Sequence, residues 1–171
     1  MTPDDVNSAM SDLIEAWYDR PYDAFDSNWI CLIRLANLFD DKAEHKRLKR
    51  LLDLVPSDAA THLLHQPSVE ALISIDPPLE SLVSNKHERL DREKASDWMN
   101  TVRTAKDSDA KAGVLALAEI LKRIRNRRAH GFKTPDGPRD EEILGKSAEV
   151  LRFMVILAAE SLMEIAQPED R

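Results

Sequence analysis

The sequence predicts an all-α fold, a helical bundle with a fragmented helical segment in its middle, on three observations. Only four glycines interrupt 171 residues, and the stock of Leu, Ala, Glu, Lys and Arg favours helix. Apolar residues recur three and four positions apart in several long windows, as on one face of a helix. Few windows alternate apolar and polar residues, as a half-buried strand would. A chain of this length forms one domain, residues 1–171, with a sizeable core that needs neither disulfides nor metals.

Taken in order, Thr2 is a plausible N-cap, with Pro3 at the first helical position and Asp4 and Asp5 in the first turn. That helix is expected to run to about Arg20, with Val6, Met10, Leu13, Ile14 and Trp17 on one face, and to stop at Pro21. A second helix is predicted from Asp26 to Phe39. It is apolar around most of its circumference (Trp29, Ile30, Leu32, Ile33, Leu35, Leu38), which suits the centre of a bundle. Ala43–Val55 is amphipathic, with Lys46, Arg47, Lys49 and Arg50 opposite Leu48, Leu51, Leu52 and Val55, and Pro56 ends it.

From Ser57 to Leu82, Pro67, Pro77 and Pro78 divide the chain into short helical pieces such as Ser68–Ser74, an insertion or cover between the main helices. Asn85–Thr104 alternates charges four apart, the pattern of an exposed helix. Asp107 or Ser108 then caps a long helix to about Ala129, with Val114, Leu117, Leu121 and Ile124 as its core stripe and Gly131 just past its end. Thr134–Pro138 is turn-rich, and Asp140, Glu141 and Glu142 open a last helix that continues to about Ala166.

Several function classes are disfavoured by composition. Cys31 is the sole cysteine, so no internal disulfide is expected. The N-terminal residues are acidic and lack the apolar region of a signal peptide. No stretch reaches the roughly 18 uncharged apolar residues of a membrane span, so a soluble, cytoplasmic protein is expected. His62 and His65 stand three apart but have no third ligand nearby, so neither a metal nor a cofactor is expected. Trp17, Trp29 and Trp98 are expected to fill the core.

The net charge is −7, yet residues 122–139 hold Lys122, Arg123, Arg125, Arg127, Arg128, Lys133 and Arg139 against Asp136 alone. A concentrated basic patch on an acidic body attracts a polyanion locally. The competing explanation is a solvated helix end whose cations oppose the negative pole of the dipole. Within the patch, Arg125-Asn126-Arg127-Arg128-Ala129-His130 sets an arginine and a histidine five positions apart. On a continuous helix that spacing is about 140° of rotation; a helix ending at Ala129–Gly131 would let both side chains address one phosphate. Chance alone predicts roughly 0.4 such pairs in a chain of this composition. The weight therefore falls on its setting at a helix end inside the basic patch.

The run Ile124-Arg-Asn-Arg-Arg-Ala-His-Gly131 resembles the hallmark of the HEPN superfamily: an arginine, usually a polar residue such as Asn next, and a histidine after four to six intervening positions. The apolar run from Phe25 to Asn37 is similar to the helix that precedes the motif in several HEPN groups. The resemblance implies a small helical bundle that dimerises, placing two copies of the motif in one cleft. It also implies metal-independent endoribonuclease activity, often in toxin–antitoxin or phage-defence systems with an antitoxin or other partner protein. HEPN toxins paired with nucleotidyltransferase antitoxins often carry a tyrosine two residues after the histidine. Phe132 stands there in this chain and has no hydroxyl to modify, so that form of control is not expected.

RNA cleavage through the 2′-hydroxyl needs a base for that proton and an acid for the departing 5′-oxygen, and an imidazole serves either role near neutral pH. Charge building on the phosphate calls for a fixed cation, which a guanidinium supplies bidentately. His130 is thus expected to transfer protons and Arg125 to bind the phosphate. Asn126 is expected to orient the pair or to hydrogen-bond the substrate, and Arg123, Arg127, Arg128 and Lys133 to hold the flanking RNA. Two subunits would supply the two histidines that acid and base require. The alternatives are a non-catalytic HEPN-like module that binds RNA, nucleotide or a protein, and a structural dimerising bundle whose basic patch meets an acidic partner.

Overall fold

The computed structural model describes residues 21–75, 88–129 and 138–166. They form seven helices and no strand: α1 (Pro21–Ala36), α2 (Glu44–Asp53), α3 (Ser57–Leu64), α4 (Pro67–Ile73), α5 (Glu88–Ala105), α6 (Ala110–Ala129) and α7 (Pro138–Ala166). The expected helix over residues 2–20 lies outside the described residues, as do Gly131 and the turn from Thr134 to Gly137.

Two long pairs organise the bundle. α1 packs along α7, and α5 along α6, while the short helices connect them: α3 lies on α6, and α4 lies on α7. The core joins Phe25, Leu32 and Leu35 of α1 to Leu117, Ile120 and Leu121 of α6 and Leu151 of α7. The stripe Val114, Leu117, Leu121, Ile124 is buried throughout, as its spacing predicts.

Three sequence expectations shift. The second predicted helix begins at Pro21, not Asp26, and ends at Ala36, not Phe39. Most of its circumference is buried, and Asp23, Ile30 and Arg34 are exposed along one side. The middle segment does more than cover the bundle, because Leu63, Leu64, Val69, Leu72 and Ile73 belong to the core itself. Over residues 94–105, α5 is exposed on one side only; Ala95, Met99, Val102 and Ala105 are buried against α6 at helical spacing.

The α5–α6 corner is tight. Asp109, not Asp107 or Ser108, caps α6, its Oδ1 accepting from the Ala112 amide at 3.1 Å. The cap moves down the chain because α5 runs on to Ala105 and residues 106–108 make the turn. One turn into α6, Gly113 allows close approach. A Cβ there would sit 2.5 Å from Leu64 Cδ1 and 3.2 Å from Ala105 Cβ, so α3 and α5 both press on this point.

Cations from the α5–α6 hairpin complete the short helices. Lys111 Nζ donates to the Asp53 carbonyl at the end of α2, 2.8 Å away. Arg103 donates to the Ile73 carbonyl that ends α4. Each places positive charge where carbonyls are left unpaired and the helix dipole is negative. Beside them Lys106 pairs with Glu70 of α4 at 2.5 Å, and its hydrogen bond holds the Glu70 carboxyl below the usual range. No helix among the described residues is long and apolar enough to cross a membrane.

Candidate functional site

α6 positions the motif. Leu121 and Ile124 are fixed in the core, so Lys122, Arg123, Arg125 and Asn126 fall beside that stripe and are half-buried or exposed. Arg125 is exposed, and its Nη1 donates to the Oδ1 of Asn126 at 3.2 Å. No carboxylate pairs with Arg125 among the described residues.

The other predicted RNA-binding residues divide. Arg123 is half-buried, its guanidinium 5.9 Å from the centre of the Trp98 ring on α5. That distance suits a cation–π contact, which engages Arg123 within the bundle. Arg127 and Arg128 lie in the last turn of α6. His130 and Lys133 lie outside the described residues, and so does Phe132.

Lys122 brings a neighbouring element to the site. Its Nζ is 3.8 Å from Oε1 of Glu44, the first residue of α2. Lys122 stands three and four positions before Arg125 and Asn126, so all three share one side of α6. Sequence reasoning missed both α2 and Trp98 as neighbours of the motif. Each contact joins residues far apart in the chain, and neither has a local signature.

Elsewhere the titratable groups occupy ordinary positions. His62 and His65 are exposed, and His65 Nε2 lies 3.2 Å from Asp107 Oδ1 across the α3 and α5–α6 turns. Among the described residues no group of three or more His, Cys, Asp or Glu is placed to hold a metal ion. Cys31 is fully buried, and burial pushes its thiol up to about 11. Trp29 fills the core as expected, whereas Trp98 is only partly covered.

No protein-family model, curated protein or solved structure matches this chain.

Proposed function

We propose that this chain is a metal-independent endoribonuclease of HEPN type, acting as a toxin or phage-defence effector, with a composite site between two copies of itself. The observation that carries the reading is Arg125. It is an exposed guanidinium beside the core stripe of α6, hydrogen-bonded to Asn126 and paired with no acid among the described residues. An arginine that only stabilised the helix surface would gain from an acidic neighbour three or four positions away. Here those positions are Leu121, Lys122, Arg128 and Ala129.

In this mechanism Arg125 binds the scissile phosphate and stabilises the charge that builds on it. His130 takes the 2′-hydroxyl proton in one subunit, and His130 of the other protonates the leaving 5′-oxygen. Asn126 holds the guanidinium in line through the contact at 3.2 Å. The cations around the motif retain the RNA backbone without reading sequence.

The test is incubation of purified protein with total RNA in EDTA, beside Arg125→Ala and His130→Ala variants. EDTA-resistant cleavage that disappears in both variants is expected. RNA binding without cleavage by the unaltered protein would leave the non-catalytic module in its place.

A further inference from the structure

α2 runs antiparallel to α6, because its two ends are tied to opposite ends of that helix. Glu44, which opens α2, meets Lys122, and Asp53, which closes it, presents its carbonyl to Lys111. The start of α2 is therefore the end nearer Arg125. Its inner face is Leu48, Leu51 and Leu52, all buried. Its outer face, with the residue just before the helix, is cationic: Lys42, His45, Lys46, Lys49 and Arg50 are all exposed.

The acids in and next to α2 offset only part of this face: residues 40–53 hold five Lys or Arg against Asp40, Asp41, Glu44 and Asp53. Glu44 is turned to Lys122, and Asp53 pairs with Lys49 at 2.6 Å. Asp41 takes Arg50 at 3.1 Å. These exposed pairs are weak and can exchange for a stronger anion. Lys42 and Lys46, at the end nearer the motif, have no ion pair among the described residues. In a chain of net charge −7, such a surplus of positive charge beside a second basic stretch favours a linear polyanion.

We propose that the exposed face of α2 is part of the RNA-binding surface and carries the phosphodiester backbone away from the Arg125–His130 motif along α6. The helix is about 15 Å long, enough to lie beside a few consecutive phosphates of one strand. Lys42 and Lys46 make the first contacts beyond the motif, and Lys49 and Arg50 the next. This inference rests on the RNA reading of the motif.

The test measures binding of a labelled single-stranded RNA across a salt series, in a His130→Ala background so that the RNA survives. Lys42→Ala/Lys46→Ala is compared with the background protein, and circular dichroism verifies that both are equally helical. Removing two phosphate contacts makes the slope of log affinity against log salt shallower by about 1.4, with weaker binding at low salt. An unchanged slope and affinity would overturn the α2 surface while leaving the motif's RNA reading intact. Failure of the background protein to bind RNA at any salt would remove both. Polyglutamate bound by α2 lysines that RNA ignores would assign the face to an acidic protein and overturn the proposal.

Discussion

Asn28 of α1 donates from its Nδ2 to the carbonyl oxygen of Ala148 in α7, 3.0 Å away, from a position closed to solvent. Its Oδ1 is equally buried and accepts no hydrogen bond among the described residues. The amide thus pins two long helices at one register while leaving half of its polarity unsatisfied. An unpaired buried acceptor costs about 1–3 kcal/mol, which offsets what the single bond contributes. Asn28→Leu is expected to fall within about 1 kcal/mol of the unaltered protein in urea denaturation, since an apolar side chain of similar size leaves no orphan.

Asn28→Asp is expected to behave oppositely. A carboxylate there would face the Ala148 carbonyl without a donor, so its folded-state pKa would rise above the ordinary carboxyl range. An acid with a raised pKa binds its proton more tightly when folded, so stability is lost as pH rises and recovered on acidification. The urea midpoint of this variant, relative to the unaltered protein, should climb as pH falls from the raised folded-state pKa and level off near the unfolded carboxyl value of about 3.9. A difference that is flat with pH would refute the buried placement.

Gly113→Ala probes the contact of α3 with α6. The new methyl would meet Leu64 Cδ1 at 2.5 Å and Ala105 Cβ at 3.2 Å. Alanine's better helix propensity gives back about 1 kcal/mol, against overpacking of about 1–3 kcal/mol. Because Leu64 is fully buried, the clash is expected to win, giving a net loss of stability. Leu64→Ala alone costs about 2–5 kcal/mol. The double variant should lose less than the two singles combined, which a double-mutant cycle in urea would read directly.

Cys31 gives a chemical test of burial. With its thiol pushed up to about 11 and no exposed surface, it should not react with a thiol reagent near neutral pH until denaturant is added. Its raised pKa also sets a sign. The protonated thiol contributes stability that is complete below the unfolded pKa, near 9.0, and is lost as pH rises towards about 11. Cys31→Ala should lack that part of the alkaline decline, measured as the difference between the two proteins' midpoints.

Arg123 and Arg125 are two residues apart yet are expected to separate in function. Arg123→Ala removes a contact with Trp98 worth about 0.5–1 kcal/mol, so it should lower the thermal midpoint slightly and alter tryptophan fluorescence. Arg125→Ala should leave both nearly unchanged and abolish cleavage. Equal loss of cleavage in the two, with no stability change in the first, would contradict the engagement of Arg123 by Trp98.

The helices were legible where periodicity and punctuation agree. Val114, Leu117, Leu121 and Ile124 announced the buried face of α6, and Pro56 marked the boundary between α2 and α3. The middle segment was harder, because helices of seven and eight residues carry too few turns to display a period. Its prolines suggested a cover, yet Leu64 and Ile73 are among the most buried residues of the chain. The cap of α6 was misplaced because Asp107, Ser108 and Asp109 are all good N-cap types, and only the length of the turn selects Asp109. At the candidate site, spacing and the basic patch single out Arg125 and Asn126 as candidates. The approach of α2 and Trp98 depends on tertiary packing, to which local patterns are blind.

The hairpin cations that terminate α2 and α4 have a bearing on the order in which the protein can form. Helices this short do not persist in water by themselves, and the groups that close their carbonyl ends, Lys111 and Arg103, come 58 and 30 residues later in the chain. A nascent polypeptide emerging from the ribosome therefore carries residues 44–73 uncommitted until the hairpin has been synthesised. Nascent chains cut short before Arg103 should be protease-sensitive throughout that segment, and those that include Lys111 and the rest of α6 should acquire protection there in a single step.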